Sequence, residues 1–115
     1  MTEYEVLKYS VYNALGVGAK NAQTRKELCH SVGCSDRMLR KAIEDLRRNR
    51  AIITNDDGTG YYIPATTDEG RKETWYWLCR QKKRMKSIKR ALRGAERFVN
   101  TRTETGVPGQ LSLFD

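Results

Sequence analysis

Two short helical patterns separated by one glycine constrain the fold of this 115-residue chain more than any other feature. Between residues 25 and 44, apolar or small side chains recur where two helices that cross over a tight turn must pack. Gly33 lies at the turn, where a positive φ would exclude most other residues. The packed positions are Leu28, Val32, Cys34, Leu39 and Ala42. The pattern therefore predicts two short helices, the first capped by Thr24 and the second by Ser35 and running to about residue 49.

A further helix precedes this pair. Thr2 and Glu5 have the spacing of a capping box, and apolar residues then recur at three- and four-residue steps up to Gly16. The sequence predicts a helix over about 2–15 and a loop over 16–23.

Two β-rich runs and a long helix follow the pair. Residues 51–54 and 61–63 flank a turn that contains Asp57-Gly58, which predicts a β-hairpin that Pro64 ends. Thr66 and Glu69 repeat the capping-box spacing and predict the start of a long helix that continues to about Val99. The fold class expected is mainly α with a small β hairpin. The domain organisation expected is a folded domain at 1–65, a long basic helix at 66–99, a flexible linker at 100–109 and a terminal peptide at 110–115.

The pattern from Arg25 to Glu44 resembles the helix-turn-helix signature of DNA-binding proteins, with Cys29 in place of the usual Ala and Cys34 in place of a usual Val. Three short helices followed by a hairpin are similar to the winged-helix fold over residues 2–64. The run 58–64 and the basic helix beyond it are similar to small winged-helix proteins encoded by phages and prophages. The resemblance implies that the third helix enters the major groove of double-stranded DNA.

Polar residues on the third helix supply the candidate DNA contacts. The first residues of such a helix face base edges, so Arg37 is the first choice for a base contact. Basic residues at the end of the helix also favour its macrodipole. The candidates in this region are Ser35, Arg37, Arg40, Lys41, Arg47 and Arg48. The alternative is that these charges form a solvated face, since many winged helices bind protein instead. Asp56 and Asp57 in the hairpin turn would repel phosphate.

The excess positive charge is concentrated in the long helix. The chain has 22 Lys and Arg against 14 Asp and Glu, a formal net charge of +8. Residues 80–97 hold nine of the basic residues and one acid, Glu96, so this span accounts for the whole excess. Such a charge suits binding to a polyanion. The candidate DNA contacts here are Lys82, Lys83, Lys86, Lys89, Arg90 and Arg93.

The apolar residues of the same helix follow a heptad pattern, broken at Gln81 and weakened by Gly94. They are Leu78, Met85, Ile88, Leu92, Ala95 and Val99. We call this set the heptad seam. It could pack along helix one of its own domain, pair with the 66–99 helix of a second copy, or stay solvated until DNA arrives. Packing on the own domain or an antiparallel homodimer is preferred, because like charges beside the seam disfavour a parallel pair.

The last six residues place three large apolar side chains after a polar stretch that has no helical or strand period. The segment resembles the Gln-Leu-Ser/Asp-Leu-Phe peptide with which bacterial replication and repair proteins dock on the DNA polymerase sliding clamp. The resemblance implies an extended peptide that fills apolar pockets of the clamp. The matching residues are Gln110, Leu111, Leu113 and Phe114. The alternative is a tail that folds back onto a groove of its own domain.

Signals of enzymatic chemistry are weak in this sequence. No nucleotide-binding loop, nucleophile elbow or metalloprotease helix occurs, so we expect a protein that is not an enzyme and has no cofactor. Cys29, His30, Cys34 and Cys79 lack the spacing of a zinc site, and no metal is expected. Three cysteines, an odd number, suit free thiols in a reducing cytoplasm. No apolar run is long enough to span a membrane, and none is expected to act as a signal peptide.

These observations predict a cytoplasmic, nucleoid-associated DNA-binding adaptor that docks on the bacterial sliding clamp during DNA replication or repair. Two alternatives remain open. One is a sequence-specific transcriptional regulator whose tail is incidental, and the other is a protein-binding modulator of the host replication machinery.

Overall fold

The computed structural model describes residues 1–101, so the linker beyond this point and the predicted clamp-binding peptide lie outside the described residues. Within residues 1–101 the protein is mainly α-helical with one small antiparallel sheet, as the sequence predicts. The helices are α1 (Glu3–Ala14), α2 (Arg25–Val32), α3 (Asp36–Leu46) and α4 (Asp68–Asn100). The strands are β1 (Gln23–Thr24), β2 (Ile53–Thr54) and β3 (Gly60–Tyr62). The described chain divides into two units, Met1–Leu78 and the part of α4 from Cys79 onwards.

Side-chain caps begin the first three helices at the predicted residues. The Thr2 hydroxyl accepts the backbone N–H of Glu5 at 3.2 Å, and the Ser35 hydroxyl accepts that of Met38 at 3.2 Å. Thr24 forms a full capping box with Glu27: its hydroxyl accepts the Glu27 N–H at 3.1 Å, and the Glu27 carboxylate accepts the Thr24 N–H at 3.1 Å. Each cap satisfies a backbone donor that lacks a partner within its helix.

The turn between α2 and α3 depends on Gly33, as predicted. Gly33 has a φ of +78°, in the left-handed region that favours glycine. The end of α3 was predicted too late, because the helix ends at Leu46 rather than near residue 49. Arg47 follows as the C-cap, and its Nε donates to the carbonyl oxygen of Ile52 at 2.9 Å. This bond ties the end of α3 to the residues that enter β2.

The start of α4 differs from the prediction by one threonine. The predicted cap was Thr66, but the hydroxyl of Thr67 accepts the backbone N–H of Gly70 at 3.1 Å, so Thr67 is the cap. Gly70 is buried, and a Cβ at this position would lie 1.9 Å from the carbonyl oxygen of Ala65. The close approach of the two backbones fixes where the helix begins.

The predicted hairpin is present, with a shorter first strand, a second strand displaced by one residue, and one additional strand. The strand order is β1-β3-β2, with Ile53 opposite Tyr62 and Gln23 opposite Tyr61. Strand β1 falls where the sequence predicted only a loop. In the hairpin turn, Asn55 Oδ1 accepts the backbone N–H groups of Thr59 and Gly60, both at 3.1 Å.

The core of the first unit lies between α1, α2 and α3 and beside the sheet. Its members are apolar and almost fully buried, and they include three of the five residues that the pattern over 25–44 assigned to packed positions, namely Leu28, Leu39 and Ala42. They are Val11, Leu15, Leu28, Leu39, Ala42, Ile43 and Ile52. No charged or polar residue of the described chain is buried with them. This small core holds α3 in place and leaves its other face open to solvent.

In the second unit, the part of α4 after Leu78 carries its apolar residues on the surface. Met85, Ile88 and Leu92 are 56%, 58% and 43% exposed. These side chains of the heptad seam are therefore exposed on α4. Whether the seam packs on the protein's own domain or on a second copy stays a prediction.

Candidate nucleic-acid interface

The outward face of α3 carries most of the predicted DNA-contact residues of the first unit. Leu39, Ala42 and Ile43 are buried on one side of the helix. Because residues three or four positions apart share a helix face, the residues on the opposite side face solvent together. The exposed polar residues of α3 are Asp36, Arg37, Arg40, Lys41 and Glu44. The helix thus presents a mixed but mainly basic surface, with Ser35 exposed at its start.

At the start of α3, Arg40 forms an ion pair within the protein, whereas Arg37 forms none within residues 1–101. Asp36 lies 3.0 Å from Arg40 Nε and 3.4 Å from Arg25 Nε, so it joins the first turns of α2 and α3. Arg37 forms no ion pair within residues 1–101, and its side chain is exposed. Arg37 is therefore the cation of this face that is most available to an anionic ligand.

Lys41 is directed towards α1. Its Nζ lies 4.9 Å from the centre of the Tyr4 ring, and the Nζ of Lys8 lies 5.2 Å from the same ring. The Tyr4 hydroxyl donates a hydrogen bond to Asp45. Burial, together with this bond to a carboxylate, raises the pKa of Tyr4 to about 12. The same bond holds the pKa of Asp45 below its usual range. The candidate contact Lys41 thus belongs to a polar cluster that joins α1 and α3.

Arg47 and Arg48 follow α3 but occupy different environments. The Arg47 guanidinium lies 5.0 Å from the centre of the Trp77 ring and 5.6 Å from that of Tyr61, and burial lowers its pKa. Its Nε also donates to Ile52, so the guanidinium is partly engaged by the protein itself. Arg48 is exposed and lies 3.7 Å from Asp45. Of these two predicted contacts, Arg48 is the one that the structure leaves accessible.

The hairpin turn lies beside the start of α2. A surface cleft there is lined by residues of the turn and of both helices: Thr24, Arg25, Lys26, Cys29, Asp36, Gly58, Thr59 and Tyr61. Asp57 accepts the Thr59 hydroxyl at 2.7 Å, and its bonds to Thr59 lower the pKa of its carboxyl group. The turn therefore keeps negative charge at the edge of the cleft.

Arg25 and Lys26 were not singled out from the sequence. They occupy the first turn of α2 and are exposed at the cleft. Cations are unfavourable at a helix N-terminus because of the macrodipole, so two of them in succession are a signal that could have identified them.

The second unit presents a continuous basic surface. The six predicted contacts of α4 are all exposed, and none of them forms an ion pair within residues 1–101. They are Lys82, Lys83, Lys86, Lys89, Arg90 and Arg93. Unpaired cations along one helix can each lie against a phosphate of a polyanion.

The cysteines and the histidine do not form a ligand set in the described chain. Within residues 1–101, no three His, Cys, Asp or Glu side chains are close enough together to hold a metal ion. Cys29 and Cys34 are half-buried, and burial raises the pKa of the Cys34 thiol. Cys79 is exposed.

No helix in this part of the chain combines the length and hydrophobicity needed to cross a bilayer. Comparisons with protein-family models, curated proteins and solved structures find no significant match to this chain.

Proposed function

We propose that this protein is a DNA-binding adaptor of the phage or prophage type. In this proposal a winged-helix body contacts double-stranded DNA, and the peptide at 110–115 docks on the bacterial sliding clamp in DNA replication or repair. The observation that carries the DNA-binding part is the outward face of α3, which is basic and exposed while the opposite face is anchored in the core.

The arrangement around α3 supports this assignment. α2 and α3 are joined by a short turn at Gly33, and strands β2 and β3 follow α3 in the chain. A rigid helix that is supported on one side and open on the other is what insertion into the major groove requires. The sheet and its turn would then be the wing. Because Asp57 is acidic, we expect the wing to stay away from the phosphates.

The basic surface of α4 supplies the second part of the DNA interface in this proposal. Its unpaired cations would bind phosphates without reading bases. If five phosphates are neutralised, the logarithm of the binding constant should fall with the logarithm of salt concentration with a slope of about −4.5. A slope near zero would remove nucleic acid from the proposal.

Base reading by α3 can be separated from backbone binding with one pair of variants. Arg37→Ala should reduce discrimination at one base pair by about 1–3 kcal/mol, because the side chain would no longer reach a base edge. Arg71→Ala removes an exposed arginine from the first unit without touching α3 and serves as the control. Binding of both variants should be measured against a library of DNA sites. An equal loss on all sites would assign Arg37 to the backbone.

The clamp-docking part is supported by sequence alone. Burial of Leu111, Leu113 and Phe114 in the clamp would contribute about 5–8 kcal/mol to the binding free energy before the entropic cost of ordering the peptide is subtracted. Ordering the peptide backbone opposes binding by about 1–2 kcal/mol per residue. The peptide alone should therefore bind weakly. A clamp encircles DNA, so a DNA-binding domain on the same chain raises the effective concentration of each contact for the other.

A double substitution tests this part directly. Leu113→Ala with Phe114→Ala should abolish binding to the purified clamp and leave DNA binding unchanged, because only the apolar anchors are removed. Ser112→Ala changes the residue between the anchors and is the matched control. Retained clamp binding by the double variant would refute the docking model.

A sequence-specific transcriptional regulator is the second candidate, and the unpaired Arg37 favours it. That function predicts one strongly preferred operator and full activity without residues 110–115. The adaptor predicts the reverse, namely modest site preference and loss of function when the peptide is removed.

A further inference from the structure

We propose that the protein forms an antiparallel homodimer through residues 81–99 of α4, in which a second copy of the same helix covers the heptad seam. This interaction goes beyond the proposed function, because neither DNA binding nor clamp docking requires it. Two independent features of the helix favour a second copy as the partner and an antiparallel direction of the two helices. They are the sizes of the seam residues and the position of one acidic residue, Glu96.

The heptad seam is an exposed apolar face of the described part of α4. From residue 81 onwards, its positions alternate in steps of four and three residues, which is the spacing of the a and d positions of a coiled coil. Within residues 81–99 the heptad seam comprises Met85, Ile88, Leu92, Ala95 and Val99, and Gln81 occupies the position at which the apolar pattern is broken. Met85, Ile88 and Leu92 form its centre and are about half exposed, at 56%, 58% and 43%. Exposed apolar side chains aligned along one helix face are typical of a surface that binds another helix.

The side-chain sizes match when the two helices run in opposite directions about a centre near residue 90. In this alignment Ile88 of one copy faces Leu92 of the other, and Met85 faces Ala95. Symmetry forms each of these layers twice. The long Met85 side chain then meets the smallest residue of the seam. Large and small side chains that alternate across an interface fill space without voids.

The charges beside the seam favour the same direction. One flank of the seam carries Lys82, Lys89 and Glu96. Glu96 is the single acid between residues 80 and 97, and it forms no ion pair within residues 1–101. In the antiparallel alignment, Lys82 of one copy faces Glu96 of the other, and this pair forms twice. Lys89 of one copy faces Lys89 of the other across the symmetry axis, and this is the one like-charged contact on this flank.

The other flank distinguishes the two directions further. It carries Arg84, Ala91 and Phe98. In a parallel pair, Arg84 would face Lys89 twice, and Glu96 would face the uncharged Ala91. In the antiparallel pair, Arg84 instead faces Phe98, an aromatic ring that attracts a guanidinium. The parallel pair thus has two repulsive contacts and no attractive one, so the antiparallel pair is favoured.

The dimer leaves the outward face of the helix free. Lys83, Arg90 and Arg97 lie opposite the seam, so a second copy does not cover them. The paired span is just under three heptads, and both helices are strongly basic. We therefore expect a weak dimer that is strengthened by salt, because salt screens the net repulsion between the two copies.

The test is a charge-swap cycle on the full chain, measured by sedimentation equilibrium without DNA or clamp. Lys82→Glu should raise the dimer dissociation constant about tenfold relative to Lys83→Glu, because it converts two attractive pairs into repulsive ones. Lys83→Glu makes the same charge change one residue away, outside the interface. Glu96→Lys should also weaken the dimer, and the double variant Lys82→Glu with Glu96→Lys should restore it to within about threefold of the original chain.

These measurements test the antiparallel dimer independently of the proposed adaptor function, because they contain neither DNA nor clamp. Ile88→Asp should leave a monomer with unchanged helical content by circular dichroism. A chain that stays monomeric at every concentration, or a double variant that is not restored, would overturn the antiparallel dimer. A monomer that binds vesicles of anionic phospholipid through Ile88 would assign the seam to a membrane surface instead. DNA binding and clamp binding can succeed or fail in each of these cases.

Discussion

The two parts of α4 differ in what stabilises them. In residues 68–78, Gly70 packs against Ala65, Glu73 accepts the Tyr62 hydroxyl at 3.1 Å, and Trp77 Nε1 donates to Thr54 at 3.2 Å. In residues 79–100, the apolar side chains are largely exposed and the charges are mostly basic. Most of the stability of a helix in a protein comes from tertiary packing of its apolar face. The first part of the helix is thus held by tertiary contacts, whereas the remainder presents exposed apolar side chains to which a partner would add packing.

The largest expected contrast is between a core leucine and a seam leucine. Leu39→Ala should lower the free energy of unfolding by about 2–5 kcal/mol, because Leu39 is fully buried and its removal leaves a cavity. Leu92→Ala should change it by less than about 0.5 kcal/mol in dilute protein, where the seam of the monomer is exposed. Urea unfolding followed by circular dichroism measures both. Equal effects of the two substitutions would contradict the contrast.

The next contrast uses one substitution at two glycines of α4. Gly70→Ala should destabilise the protein by roughly 1–3 kcal/mol, because the new methyl group would overlap the carbonyl oxygen of Ala65. Gly94→Ala should stabilise the helix by about 0.8–1 kcal/mol, because no atom lies within 4 Å of the added carbon and alanine is the better helix former. Thermal unfolding reports the first change, and amide hydrogen exchange over residues 79–100 reports the second. A stabilising Gly70→Ala would show that α4 is not anchored at this point.

A smaller difference is expected between two consecutive arginines. Arg47→Lys should lower the free energy of unfolding by about 1 kcal/mol, because lysine lacks the planar group that lies between Tyr61 and Trp77. Arg48→Lys should have almost no effect, since Arg48 is exposed and its contact to Asp45 is long. Chemical unfolding with tryptophan fluorescence gives both values. If Arg47→Lys weakens DNA binding without changing stability, its guanidinium contacts DNA as first predicted.

The smallest effect concerns pH and the bond from Tyr4 to Asp45. The pKa of Tyr4 rises from 10.0 to about 12 on folding. The contribution of its hydroxyl group to the free energy of unfolding is therefore complete below pH 10 and is lost as the pH rises through 12. The pKa of Asp45 falls below 3.8, so its contribution is present above that pH and lost as the pH falls through the lower folded value. Tyr4→Phe should therefore be less stable than the original chain between about pH 4 and pH 10.

Unfolding curves of the original chain and of Tyr4→Phe, measured across this range, check the prediction. The difference between them should shrink towards both ends. Tyr9→Phe, at an exposed tyrosine of the same helix, is the control and should show no such window. A constant difference at all pH values would mean that packing of the ring, rather than the hydrogen bond, is responsible.

Local signals made much of the fold predictable. Helix caps act within three residues, so Thr24 and Ser35 could be assigned from the sequence. Strand β1 could not, because it has two residues and exists only through its pairing with the distant Gly60 and Tyr61. The cap of α4 was misplaced because Thr66 has the capping-box spacing to Glu69, whereas the actual cap, Thr67, has Gly70 at the corresponding position.

The candidate site was predictable to a similar extent. Exposed basic side chains on α3 and α4 follow from the helical period, and Arg37 is accessible as expected. The role of Arg47 depends on its contacts with Ile52 and two aromatic rings, which no local pattern reveals. Its assignment as a DNA contact stays a prediction, as does the clamp-binding role of Leu113 and Phe114.

The placement of the thiols has a practical consequence. Cys79 is exposed, whereas Cys29 and Cys34 are half-buried. The thiolate is the nucleophile that reacts with alkylating reagents, and burial raises the pKa of the Cys34 thiol, which disfavours its thiolate form. Brief treatment with a maleimide dye should therefore label Cys79 first, which provides a fluorescent reporter on the long helix without any engineered substitution.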